Sequence, residues 1–187
     1  MKVKICGITD QRDAELAAEL GAWALGFVFW EGSPRAVSPR KAAAIIARLP
    51  ASVLPVGVFV DATIEQLRRT ASETGIRAYQ LHGRAAPAAF GRLDLPVIRA
   101  VRPRRPSDLD RLSSYPPLFG FLVDAAVRGA RGGTGRLADW GLARAAKQFG
   151  RVFLAGGLDA GNIREAVRSV RPFAVDLSSG VEARPGR

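Results

Sequence analysis

Residues 151–180 read RVFLAGGLDAGNIREAVRSVRPFAVDLSSG. The stretch opens on a short apolar run, Arg151–Ala155, and breaks at Gly156-Gly157. A helical segment follows from Asn162 to Val170. A second run, Phe173–Leu177, ends in Ser178-Ser179-Gly180. The runs are mostly apolar at consecutive positions rather than alternating, as strands of a parallel sheet covered on both faces are. The unit is therefore strand, Gly-rich turn, helix, strand.

Working outward, six further runs of this kind come before it: Val3–Cys6, Ala22–Phe29, Val53–Val60, Ala78–Leu81, Pro96–Val101 and Phe119–Val123. Their β-branched and aromatic residues suit strands. The segments between them carry helix signals. Thr9 or Asp10 can cap a helix that stops at Gly21. Ser38-Pro39 is an N-cap followed by Pro at the first helical position. Thr63 and Gln66 have capping-box spacing, and Gly75 ends that helix. Asp139 to Phe149 reads as another helix, with short ones near Ala85–Phe90 and Ser107–Leu112. Eight βα-like units at roughly 25-residue spacing predict an α/β fold, a single-domain (β/α)8 TIM barrel over residues 1–187. A doubly wound open sheet would want fewer strands. At 187 residues the barrel is a minimal one. After the eighth run only Ser178 to Arg187 remain, so the pattern lacks the final C-terminal helix. That helix would bury large apolar side chains worth about 1.5–3 kcal/mol each.

Composition excludes several classes. Hydrophobic residues are 48% and charged residues 24%, a globular balance that rules out a disordered chain. No apolar run reaches the length of a membrane-spanning helix, and MKVKICGITD is too short and too charged to open a signal peptide. One cysteine, Cys6, excludes a disulfide scaffold. The expectation is a cytoplasmic protein with no membrane partner, a monomer or homodimer. The net charge is +11, and all but four of the 28 basic residues are arginine. They are scattered, and the aromatics (7%) sit mostly in the apolar runs, so no nucleic-acid partner is expected.

A barrel of this kind keeps its site at the C-terminal ends of the strands. Three small-residue turns fall there late in the chain: Gly132-Gly133-Thr134-Gly135, Gly156-Gly157 and Ser178-Ser179-Gly180. Backbone N–H groups of such turns can converge on a phosphate, so a small phosphorylated ligand is expected. Cys6 and Asp124 end the first and sixth runs. A thiolate beside positive charge accepts a proton, and a carboxylic acid donates one. Read from spacing alone, a buried small hydrophobe is the commoner fate of a lone cysteine such as Cys6, and Asp124 is alternatively a structural hydrogen-bond partner. Arg35, in Ser33-Pro34-Arg35, suits a carboxylate through two parallel hydrogen bonds, or is a solvated loop arginine. His82 and Asp176 also stand at strand ends. One histidine and one cysteine do not make a metal site.

Taken together, these segments resemble the phosphoribosylanthranilate isomerase family of tryptophan biosynthesis. The segments that carry the resemblance are Lys4–Thr9, Ser33–Arg35, Gln80–Gly83, Asp124, Gly132–Gly135, Leu154–Leu158 and Asp176–Glu182. They span nearly the whole chain in the family's order. The resemblance implies an Amadori rearrangement of N-(5-phosphoribosyl)anthranilate with no metal or cofactor. It casts Asp124 as general acid, Cys6 as general base and Arg35 as binder of the anthranilate carboxylate. Gly133, Thr134, Gly135, Gly156, Gly157, Ser179 and Gly180 would hold the phosphate, with His82 and Asp176 lining the site. Members continue past the segment matching Arg184-Pro185-Gly186 into a last helix. The histidine-pathway isomerase shares the fold and phosphate loops but has a carboxylate where Cys6 stands. A phosphate-ligand barrel with impaired catalysis is the other alternative.

Overall fold

The computed structural model describes residues 1–124 and 140–187. Eight strands, β1 Lys2–Cys6, β2 Ala24–Val28, β3 Leu54–Val60, β4 Ala78–His82, β5 Val97–Val101, β6 Gly120–Asp124, β7 Val152–Ala155 and β8 Ala174–Leu177, close into a barrel in chain order. Every pairing is parallel, and β8 returns to β1 with Lys4 opposite Asp176. Each apolar run has become a strand, with shifted ends. The ladder carries β4 on to His82 and β6 on to Asp124, each paired with a neighbour.

Between β1 and β2 lies α1, Gln11–Glu19. Its cap is Asp10, whose carboxylate accepts the Arg12 N–H at 3.0 Å. α2, Pro39–Ile46, is capped by Ser38, with Pro39 where its missing N–H costs nothing. α3, Ile64–Thr74, carries the full Thr63–Gln66 capping box and stops at Gly75 in a left-handed conformation. α4, Pro87–Phe90, is a single turn. The Ser107–Leu112 region forms two 3-10 turns, Pro106–Asp108 and Asp110–Ser114. There the Asp108 carboxylate takes the backbone N–H groups of Arg104 and Arg105, competing with helix extension. α5, Trp140–Ala145, runs into a 3-10 turn at Ala146–Phe149, and α6 spans Ile163–Val170.

Register decides which side chains fill the barrel. Paired residues in parallel strands share a face, and faces alternate along each strand. Ala24, Val56, Ala78, Ile98, Leu122, Phe153 and Ala174 form one inner cluster. Below it, at the N-terminal end, Trp23, Phe119 and Phe173 gather round Phe153 with ring centres 5.4–6.2 Å apart. Lys2 Nζ lies 4.3 Å from the Trp23 ring, and the Arg151 guanidinium 5.1 Å from those of Phe119 and Phe173. The outer faces bury residues such as Leu25 and Phe27 against Ala14, Ala42 and Ile45.

After β8 come a 3-10 turn, Ser179–Val181, and a loop fastened across the start of the barrel. Thr9 Oγ1 donates to the Gly186 carbonyl at 2.6 Å, and Arg187 pairs with Asp10 at 2.8 Å. No helix follows β8 among the described residues. Strands β1 and β8 pair directly all the same. An apolar groove of about 280 Å³, with Val3, Ile5, Leu16, Leu20 and Val181 in its walls, lies on that side of α1.

Candidate active site

The inner-face residues nearest the C-terminal ends of the strands are the ones that chemistry can use. They include Cys6 on β1, His82 on β4, Asp124 on β6 and Asp176 on β8. All four were singled out in the sequence, and the barrel brings them to one mouth. Cys6 also borders the groove beside α1, while on the β3–β6 side an opening of about 1110 Å³ is lined by His82, Arg84, Arg102, Arg104 and Asp124, among others. Its basic rim suits an anionic ligand.

Asp124 is mostly buried and receives the Arg102 Nε–H at 2.6 Å. The two arginines on β5 and just after it both line the opening, and Arg102 is the one paired with Asp124. Arg99 turns outward and donates to the carbonyls of Leu81 and Gly83 and to the Tyr115 hydroxyl, locking the end of β4 from outside. His82 lies 3.0 Å from Gln80 Nε2 through its own Nε2. Burial, then the nearby charges of Lys4, Arg102 and Arg99, push its pKa down to about 4, with Asp124 working the other way. The imidazole is thus neutral at physiological pH.

Cys6 is partly exposed. Burial raises its thiol pKa above the ordinary value, and the charges of Lys4 and Arg35 pull it back. Lys4 has no exposed surface, and its ammonium donates to Asp176 Oδ1 at 2.7 Å. Burial also raises Asp176, against the pull of Lys4. Sequence reading took Lys4 only as the first residue of the Lys4–Thr9 segment. Alternation was the available signal: Lys4 and Cys6 are two apart on one strand, so both face inward.

Arg35 sits in the loop after β2. Its Nε and Nη2 bond both carboxylate oxygens of Glu182, at 2.7 and 2.6 Å. Burial raises the Glu182 pKa, but the Arg35 and Gly186 hydrogen bonds outweigh it and leave it below the usual value. Glu182 was read only as part of a motif; its contact with Arg35 joins residues far apart in sequence. Gly156 and Gly157 follow β7, and Ser179 and Gly180 follow β8, so these two turns lie side by side. Gly133, Thr134 and Gly135 lie outside the described residues.

A closed parallel (β/α)8 barrel with cysteine, histidine, carboxylate and arginine side chains at the C-terminal ends of its strands defines the class: a TIM barrel with a polar mouth of the kind such barrels use for chemistry. The family model for N-(5'-phosphoribosyl)anthranilate (PRA) isomerase matches residues 3–187. An N-(5'-phosphoribosyl)anthranilate isomerase of Geobacter sp. (strain M21) is 50% identical over 186 residues, covering 100% of this chain and 91% of the relative. The crystal structure of the Thermotoga maritima phosphoribosyl anthranilate isomerase is similar at TM-score 0.89 and 40% identity, covering 100% of this chain and 92% of that one. A phosphoribosyl anthranilate isomerase in complex with reduced 1-(o-carboxyphenylamino)-1-deoxyribulose 5-phosphate gives TM-score 0.87 and 38% identity, covering 100% and 91%. The chain belongs to the N-(5'-phosphoribosyl)anthranilate isomerase family, whose members act in tryptophan biosynthesis. Among the described residues, no helix is long and apolar enough to cross a membrane.

Proposed function

We propose that this chain isomerises N-(5'-phosphoribosyl)anthranilate by proton transfers shared between Asp124 and Cys6. Asp124 protonates the ribose ring oxygen; the C1′–O bond breaks and the anilino nitrogen closes a protonated Schiff base. Cys6, as thiolate, takes the C2′ proton, and the C–H electron pair forms the C1′=C2′ bond of an enolamine while the nitrogen becomes neutral. Loss of the enol O–H proton and gain of one at C1′ give the ketone product. The observation that carries this reading is the placement of Cys6 and Asp124 on inner-face positions at the ends of β1 and β6, facing one mouth.

Arg35 would bind the anthranilate carboxylate. Glu182 holds one edge of its guanidinium, which leaves the Nη1 donors to face the ligand. The phosphate would sit on the turns after β7 and β8. Gly180 supports this, because a Cβ there would collide with the Leu158 carbonyl; only glycine lets the two backbones come this close. His82, neutral, and Asp176 would line the sugar end.

The test generates phosphoribosylanthranilate in situ and follows the loss of its fluorescence. Cys6→Ser and Asp124→Asn should each cut kcat by about 10²–10⁴-fold. Full turnover in either variant would remove that residue from the mechanism. Binding of the reduced product by a folded wild-type chain that turns nothing over would favour an impaired ligand-binding barrel.

A further inference from the structure

We infer that Lys4, held in place by Asp176, is a positioning residue that keeps Cys6 able to exist as a thiolate inside the barrel. The inference rests on the reading of Cys6 as the base. Lys4 has no exposed surface. Burying an ammonium and a carboxylate together costs several kcal/mol of desolvation per ion, and apolar side chains of similar volume commonly do as well or better for stability. Stability is thus a poor reason to keep this pair beside an inner cluster of alanine, valine, isoleucine, leucine and phenylalanine.

The geometry supplies a better reason. Lys4 and Cys6 share the inner face of β1, and Asp176 is the register partner of Lys4 on β8. Gly26 is the register partner of Cys6 on β2. A Cβ at Gly26 would lie 2.8 Å from Cys6 Sγ and 3.1 Å from Lys4 Nζ, so the thiol and the ammonium share the space that this glycine leaves open. The charged groups that act on Cys6 are Lys4 on its own strand, Asp176 on β8 and Arg35 from the loop after β2. His82 and Asp124 complete the charged lining of the mouth. Lys4 and Asp176 act on the thiol in opposite senses: the ammonium favours the thiolate and the carboxylate disfavours it. Asp176 holds the ammonium in place and keeps it charged while Cys6 is protonated. When Cys6 loses its proton, the ammonium is already beside the new charge. When the thiolate takes the C2′ proton, the set of Lys4, Asp176 and Cys6 returns from one net negative charge to zero.

Cys6 is the single cysteine of the chain, so alkylation by iodoacetamide across pH reads its ionisation alone. The experiment compares wild type with Lys4→Met, Asp176→Asn and the double variant, and adds the pH profile of kcat/KM. Lys4→Met should raise the thiol midpoint by about one unit or more, which slows alkylation at neutral pH about tenfold. Asp176→Asn should lower it. The double variant leaves no buried partner unpaired and loses both opposing charges, so its midpoint should fall below that of Lys4→Met. The ascending limb of kcat/KM should move with the midpoint in each protein. A purely structural role would reduce the folded fraction without moving the midpoint. An unmoved midpoint in Lys4→Met therefore overturns the inference. If Lys4→Met does not fold, Asp176→Asn decides, and a midpoint that stays or rises overturns it. Midpoints that shift as stated while the kcat/KM limb stays in place would leave the role of Lys4 standing and remove Cys6 as the base.

Discussion

The two ends of this barrel handle positive charge in opposite ways. At the N-terminal end Lys2 and Arg151 lie over the faces of Trp23, Phe119 and Phe173, where ring quadrupoles offset them and the aromatic plug excludes water. At the C-terminal end Lys4, Arg35 and Arg102 are each tied to a carboxylate. The lower cations are held by rings that cannot titrate. The upper ones are held by groups that can gain and lose protons. The difference separates an end that holds the barrel shut from an end that does chemistry, although the two are only a strand length apart.

The largest effect that would break this division lies at the mouth. Cys6→Ser and Asp124→Asn should lose about 10²–10⁴-fold in kcat and keep the thermal midpoint of the wild type, measured by circular dichroism. A midpoint that drops with activity would mean that the mouth also holds the fold. Phe153→Ala is the reverse case. It empties the plug at a fully buried position and should cost about 3–5 kcal/mol, or about 6–20 °C in midpoint. Its kcat per folded molecule should stay within about twofold of wild type in a titrated active-site assay.

His82 sharpens the comparison, because it couples the mouth to stability through pH. Its folded pKa of about 4 lies below the ordinary 6.5, so between these values the unfolded chain binds more protons. Stability therefore rises with pH across that window and is lost as pH falls through it, by about 3 kcal/mol from this group alone. Urea midpoints taken through the same window should show a shallower slope in His82→Asn. An equal slope would assign the acid sensitivity elsewhere. The smallest effect lies far from both ends. Thr63→Ala removes the α3 cap and should cost about 1 kcal/mol, or about 2–4 °C, with kcat unchanged.

Much of the architecture was legible because each strand is a short apolar run punctuated by glycine or proline. Run ends were less legible. Val60 pairs with His82, so the ladder continues past the last apolar residue of β4, and polarity alone misplaces the end. Near Ser107–Leu112 the side chain of Asp108 takes backbone donors, and a helical reading gives way to tighter turns. At the site, Cys6, Asp124, His82 and Asp176 could be named because a strand-end position implies the mouth. The partners could not. Lys4 meets Asp176 only when the barrel closes, and Arg35 meets Glu182 only when the last turn folds back over the loop after β2. Those contacts come from closure, which no local pattern encodes.

Gly26 carries a demand to which it contributes no reacting atom. A single methyl group there would press on Cys6 Sγ, on the Cys6 backbone and on Lys4 Nζ together. Anyone diversifying this mouth in the laboratory therefore cannot treat the first two strands separately. A library that varies position 26 alone would select glycine back, and one that varies position 6 alone samples only what the missing methyl leaves room for. Any side chain larger than hydrogen at position 26 has to be matched by a change at position 6.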